Sequence, residues 1–140
     1  MDVVPNSPEY FNALGRDHLP GHLGISILRV APGEVDAELV IAQQHMAPNN
    51  YLHAGTIVSL ADTAAGYGCV ANLPPKAASF TTIELKSNFI GTARSGTIAC
   101  FARMLHGGRS TQVWDVTVNS RETGTSIAIF RCTQMIIYPR

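Results

Sequence analysis

The chain has 140 residues, room for one domain whose single core buries about 70% of the unfolded surface. Ten Lys and Arg balance ten Asp and Glu, so the net charge is zero and the basic excess that neutralises nucleic-acid phosphates is missing. Charged residues make up only 14% of the chain, against about 25% in an ordinary globular domain, so part of the surface is expected to lie buried in a second copy.

The opening MDVVPNSPEY has no basic stretch followed by an apolar run. Nothing there marks the chain for secretion, and a cytoplasmic protein is expected. Ser7-Pro8 reads as the N-cap and first position of a short helix reaching about Leu14, closed by Gly15 and the Pro20-Gly21 pair. Residues 1–23 are therefore a helix and lead-in to one domain spanning 1–140. Two strand-like runs follow, ISILRVA and EVDAELVI, joined by a Pro32-Gly33 turn. In the second run Val35, Ala37, Leu39 and Ile41 alternate with Glu34, Asp36, Glu38 and Val40, the pattern of a half-buried strand. Residues 43–52 read as polar loop, and residues 54–71 as a long apolar helix ended by Asn72 and Pro74-Pro75.

Beyond that helix the period switches to two. Strands are predicted over 79–90, 97–106, 111–120 and 126–137, separated by turn signals at Gly91 to Gly96, Gly107-Gly108 and Glu122-Thr123-Gly124. Two strands, one helix and four strands joined by short turns describe a largely antiparallel sheet with one crossing helix. A helix apolar on nearly every side must be enclosed, which makes this an α+β fold with a curved sheet wrapped around a central helix. Cys69, Cys100 and Cys132 are odd in number and widely spaced, as reduced thiols are.

One carboxylate breaks the apolar pattern. Between Glu38 and Lys76 the only Asp, Glu, Lys or Arg is Asp62, inside the enclosed helix. At that depth a charge costs roughly 2.5–3.5 kcal/mol in a bilayer, so a membrane span is rejected. In a protein interior it must be hydrogen-bonded, shift its pKa or face a cleft. It is either a structural Asp satisfied by its neighbours or a general base or nucleophile, and its surroundings favour the second. Gly55, Val58, Ser59, Ala65, Gly66 and Cys69 share its face, and these mostly small residues leave room for a ligand or a close neighbour. His53-Ala54-Gly55 opens the helix, where N–H groups without intrahelical partners suit a developing oxyanion and Gly55 lets a substrate approach the backbone. Gly55 and Asp62 are about 10 Å apart along the axis, too far to serve one carbonyl, so the two groups are expected to come from different subunits.

The segments NNYLHAGTIVSLADTAAGYG (49–68) and TTIELKSNFIGTA from Thr81 resemble the hotdog-fold thioesterases of the PaaI-like, phenylacetic-acid-degradation type, over roughly Gly24 to the end. The resemblance implies a hotdog fold and hydrolysis of acyl-CoA thioesters by a homodimer or homotetramer with active sites at the subunit interface. Asp62 matches that family's catalytic carboxylate, Gly55 with Ala54 its carbonyl-polarising helix N-terminus, and His53 the histidine just before it. Thr82 falls where the family often has Ser or Thr beside the reacting group. Ala47 stands where many members have Asn or Gln, so nearby Asn49 and Asn50 become candidate substrate contacts, and Ala54 replaces the first glycine of H-G-G. Asp62 either attacks the thioester or deprotonates a water.

Arg109 in the Gly107-Gly108-Arg109 turn, with Arg103 and Lys86, are candidate contacts for the CoA phosphates. Gly66 to Gly68 lies inside a helix, the wrong context for a dinucleotide loop, and Trp114 reads as core. His18 and His22 have metal-pair spacing, but Pro20-Gly21 is expected to break the helix they need. No metal, no cofactor beyond the CoA of the substrate, and no nucleic-acid or membrane partner is expected. Two rivals remain: a hotdog dehydratase or hydratase, and a non-catalytic acyl-CoA binder.

Overall fold

Helix α1 (Pro8–Gly15) begins where Ser7 Oγ accepts the Tyr10 N–H at 3.1 Å, with proline in the first turn, as its sequence dictates. The computed structural model describes residues 2–140. A second short helix, α2 (Leu19–Leu23), runs through Pro20-Gly21, the pair expected to break the chain. In a first turn the missing proline N–H is one that has no intrahelical partner, so Pro20 starts a helix here, and Gly24 ends it at φ +80°. His18 and His22 thus bracket one helical turn. Among the described residues no three His, Cys, Asp or Glu side chains are gathered for a metal.

Six strands follow: β1 (Ile25–Ala31), β2 (Glu34–Val40), β3 (Ser79–Phe89), β4 (Thr97–Gly107), β5 (Thr111–Ser120) and β6 (Ser126–Ile137). They form one antiparallel sheet in the order β1-β2-β4-β5-β6-β3. Between β2 and β3 runs α3 (Ala54–Ala71), which touches all six strands. The curved antiparallel sheet with the long helix packed against it is therefore present. Its inner face carries Val35, Ala37, Leu39, Ile98, Cys100, Ala102, Val116, Val118, Phe130 and Cys132, which close on Ile57, Leu60, Ala61, Ala64 and Ala65 of the helix. The alternate residues face outward, and there Arg29 pairs with Glu34 and Asp36, and Arg131 with Asp115. Exposed pairs of this kind contribute little stability.

The helix sits close to the sheet because its residues are small. A Cβ on Gly68 would lie 2.5 Å from the Trp114 ring, so only glycine fits there. Trp114 Nε1 donates to Gln112 Oε1 (2.8 Å), and Gln112 Nε2 donates to the Asn72 carbonyl at the C-cap of α3 (2.8 Å). Asn72 in turn donates to the Gly68 carbonyl and accepts the Gly33 N–H. One buried chain of hydrogen bonds therefore ties the end of the helix to β5 and to the β1–β2 turn. Trp114→Ala should cost about 3–5 kcal/mol from the cavity and leave Gln112 Oε1 without its donor. Denaturant unfolding measures this, and a loss below ~1 kcal/mol, the size of an ordinary substitution, would show that the helix does not depend on this anchor.

The three cysteines are free and buried, with thiols pushed up to about 12 by burial, which makes them inert. Among the described residues no helix is long and apolar enough to cross a membrane.

Candidate active site

The loop before α3 is shaped by a buried histidine. His45 closes a single 3-10 turn (Gln43–His45), and its Nδ1 accepts the Ala42 N–H (2.8 Å). Its Nε2 therefore carries the proton and donates to the Leu23 carbonyl (2.6 Å). The His45 carbonyl accepts from the His53 N–H (3.0 Å) and from the buried Thr56 hydroxyl (2.9 Å). The start of α3 is thus clamped to a rigid loop. His45 has no acidic or thiol neighbour in sequence; its partners are backbone groups, which leave no signature in the residue pattern.

At that start His53 is the N-cap, in extended conformation (φ −65°, ψ 133°). Its Nδ1 accepts the Gly55 N–H at 2.7 Å, which leaves the ring proton on Nε2. The Gly55 N–H, expected to be free, is therefore engaged by the histidine two residues earlier. Among the described residues the Ala54 N–H has no acceptor, and residues 53–55 are all exposed. Helix α3 accordingly opens on one free donor, and a second that turning the His53 ring would release.

Asp62 lies two turns further along. It is half-buried, and its Oδ1 is enclosed without any hydrogen-bond partner among the described residues. Burial alone pushes its carboxyl above the usual carboxylate range. One turn further along the same face Gly66 meets the Phe80 ring, so this side of α3 faces β3. The cross-strand partner of Cys132 is Leu85 on β3. By the same register Phe80, Thr82, Leu85, Ser87 and Phe89 oppose inward-facing residues of β6 and look toward the helix. Because β3 is an edge strand, part of this face has no cover: Leu85 is 42% and Phe89 46% exposed. The carboxylate therefore stands in a groove between α3 and β3 that is open toward the start of the helix.

The remaining expected contacts divide by location. Thr82 lies in this groove, half-buried, and donates to the buried Gln134 at 2.6 Å. Gly66 lies on the Asp62 face, but the space left by its missing side chain is filled by the Phe80 ring, with Cζ 3.1 Å from where a Cβ would stand. Asn49 and Asn50 shape the loop: Asn49 Oδ1 accepts the Tyr51 N–H, and Asn50 takes φ +68° and donates its N–H to the Ala47 carbonyl. Arg109 sits in the β4–β5 turn beside Pro74, Pro75, Lys76 and Tyr138, lining a hollow of about 530 Å³. That is the C-terminal end of α3, about 27 Å from the helix start at 1.5 Å per residue. Arg103 pairs in register with Glu34 and Asp115, and Lys86 with Arg131, so both belong to the outer face, away from the groove. For Arg103 the alternation of β4 already carried that signal. The cation near the helix start is one the sequence did not single out: the Arg94 guanidinium lies 5.0 Å from the centroid of the Tyr51 ring.

Comparison with known proteins places this geometry. Residues 49–127, more than half of the chain, match the family described as the thioesterase superfamily. The chain is 32% identical over 111 residues to a 1,4-dihydroxy-2-naphthoyl-CoA hydrolase of Listeria monocytogenes, covering 79% of this chain and 89% of that one. It is 31% identical over 110 residues to the acyl-coenzyme A thioesterase PaaI of Escherichia coli, covering 78% and 75%. A crystal structure of a mutant of the thioesterase PA1618 from Pseudomonas aeruginosa superposes with a TM-score of 0.88 at 25% identity, covering 94% of each chain.

Proposed function

The chain belongs to the thioesterase superfamily and has the hotdog fold, and from that premise we propose that it hydrolyses acyl-CoA thioesters, R–CO–S–CoA and water giving a free acid and CoA-SH. The observation that carries this reading is Asp62, a lone carboxylate held half-buried with an unpartnered oxygen beside an open groove. A structural Asp would have its lone pairs satisfied. The carbonyl oxygen of the thioester accepts from the N–H groups at the start of α3, where the dipole and the free Ala54 donor favour negative charge. Asp62 then attacks the carbonyl carbon, giving a mixed anhydride that water opens, or takes a proton from the attacking water. His53, with its proton on Nε2, orients the donor end and faces the solvent side of the site. Arg94, held on Tyr51, is the cation suited to a CoA phosphate there.

The two halves of the machinery are about 10 Å apart on one helix, so we assign them to two subunits. Edge strand β3 supports this, because it leaves one side unpaired and exposes Ile83, Leu85 and Phe89. Twofold pairing of β3 with its copy would occupy that unpaired side and bring the helix start of one protomer toward Asp62 of the other. The protein is then a homodimer or a pair of dimers, free in the cytoplasm.

The test is hydrolysis across a panel of acyl-CoAs, with released CoA-SH followed by chromatography. Turnover well above the uncatalysed rate on at least one thioester is expected. Tight acyl-CoA binding without turnover on any of them would make the protein a binder instead, and hydration of crotonyl-CoA without hydrolysis would make it a hydratase.

A further inference from the structure

The groove beside Asp62 ends at an aromatic ring. Gly66 follows Asp62 by one turn on the same face of α3 and is buried. Phe80 places Cζ 3.1 Å and Cε2 3.7 Å from the position of a Cβ on Gly66, so the ring is seated in the notch that glycine leaves. On β3 it looks toward the helix, opposite the buried Ile136 of β6. The ring cannot retreat into the helix backbone, and Ile136 flanks it on the sheet. Beyond it on the same face Cys69 is fully buried. In the other direction the groove widens past Leu85 and Phe89 to the exposed helix start.

Resting on the thioesterase reading, we infer that Phe80 is the end wall of the acyl-binding groove and restricts the enzyme to short-chain or single-ring acyl groups. The CoA arm enters from the open end, the thioester carbon meets Asp62, and the acyl group extends toward Gly66. The space available to it before the ring is about one helical turn, about 5.4 Å. Gly66 is part of the same device, because a larger residue there would push the ring into the groove.

The experiment measures kcat/KM for acetyl-, butyryl-, hexanoyl-, octanoyl-, dodecanoyl- and benzoyl-CoA with wild type, Phe80→Ala and Phe80→Leu. In parallel, calorimetry measures binding of S-alkyl-CoA thioethers of the same chain lengths, which cannot be hydrolysed. For wild type, kcat/KM should fall at least ~10-fold at one step up the chain-length series, the discrimination that an apolar pocket obtains from a group of this size. Phe80→Ala should move that step to longer chains, with Phe80→Leu in between, and thioether affinities should show the same step and the same displacement. Phe80→Leu keeps most of the apolar volume, so it carries the test if the alanine variant fails to fold. A wild-type enzyme that accepts dodecanoyl-CoA as well as butyryl-CoA would overturn the inference, as would a step that stays in place in both variants. Absent turnover with a thioether step that still moves with residue 80 would retain the wall and remove the hydrolytic reading.

Discussion

Asp62→Asn should lower thioester turnover by at least ~10²-fold, the usual contribution of a general base or nucleophile, while making the folded protein more stable at neutral pH. Both effects have one cause. The carboxylate is held with its Oδ1 buried and unpartnered, and burial raises its pKa above the ordinary carboxylate range. The folded chain therefore keeps the Asp62 proton to higher pH than the unfolded chain does. Below the unfolded pKa both states are protonated and nothing is lost. As pH rises from there through the folded pKa, stability falls, and above it the full cost of the buried charge is present. Asparagine carries no charge, so its advantage in thermal midpoint should be largest at neutral and alkaline pH and vanish in acid. In wild type kcat/KM should rise with pH through the same raised pKa, because either role of the carboxylate requires the anion. An Asp62→Asn protein that keeps wild-type turnover would end the catalytic assignment. One that is less stable than wild type at neutral pH would show that the carboxylate is satisfied by a partner and held for structure.

Ala54→Pro should remove the oxyanion donor while leaving the helix in place. Proline lacks only the backbone N–H, and the first helical position is where its fixed φ fits. His53 before it is already extended, the conformation that a following proline demands. The lost donor is the one N–H at the start of α3 that no acceptor among the described residues occupies. Removing one such donor typically costs about 10²–10³ in kcat, with little change in unfolding midpoint. Unchanged turnover would transfer the role to the Gly55 N–H, freed when the His53 ring turns aside. The two variants together test the division of the site between subunits. Unfolding and refolding Ala54→Pro mixed with Asp62→Asn forms hybrid dimers in which one of the two sites keeps both an intact helix start and an intact carboxylate. The mixture should recover about a quarter of wild-type activity from two inactive parents, if pairing is random and twofold. No recovery from properly mixed dimers would place donor and carboxylate in the same protomer.

Much of this architecture was legible in the residue pattern because it is set locally. Alternation in β2, β4, β5 and β6 marks an inner and an outer face, and the length and apolar character of residues 54–71 require a covered helix. Ser7 and Pro8 announce α1 through interactions spanning three residues. Asp62 stands out because nothing else in a long stretch of chain is charged, and a charge among apolar neighbours has the same meaning in any fold that encloses it. The misreading at Pro20-Gly21 was also local, since proline in a first turn and proline as a breaker look alike until the φ/ψ of the neighbours are known.

What the residue pattern could not supply were the distances between segments far apart in the chain. Glycine at 66 reads as room, but whether that room is empty depends on where the ring of Phe80 comes to rest. The charges of Arg109 and Lys86 were plain; that one sits at the far end of α3 and the other on the outer face followed from turn placement and strand register. His45 became the clamp of the helix start only through carbonyl and amide groups of Leu23 and Ala42. The elements, the long apolar helix and the odd carboxylate could be read from the residues because propensity, periodicity and the cost of burying charge act between near neighbours. The tertiary structure alone decided which N–H is free, what fills the space beside Gly66 and which cations can reach the groove, because packing and register are set by residues that meet only after the chain has folded.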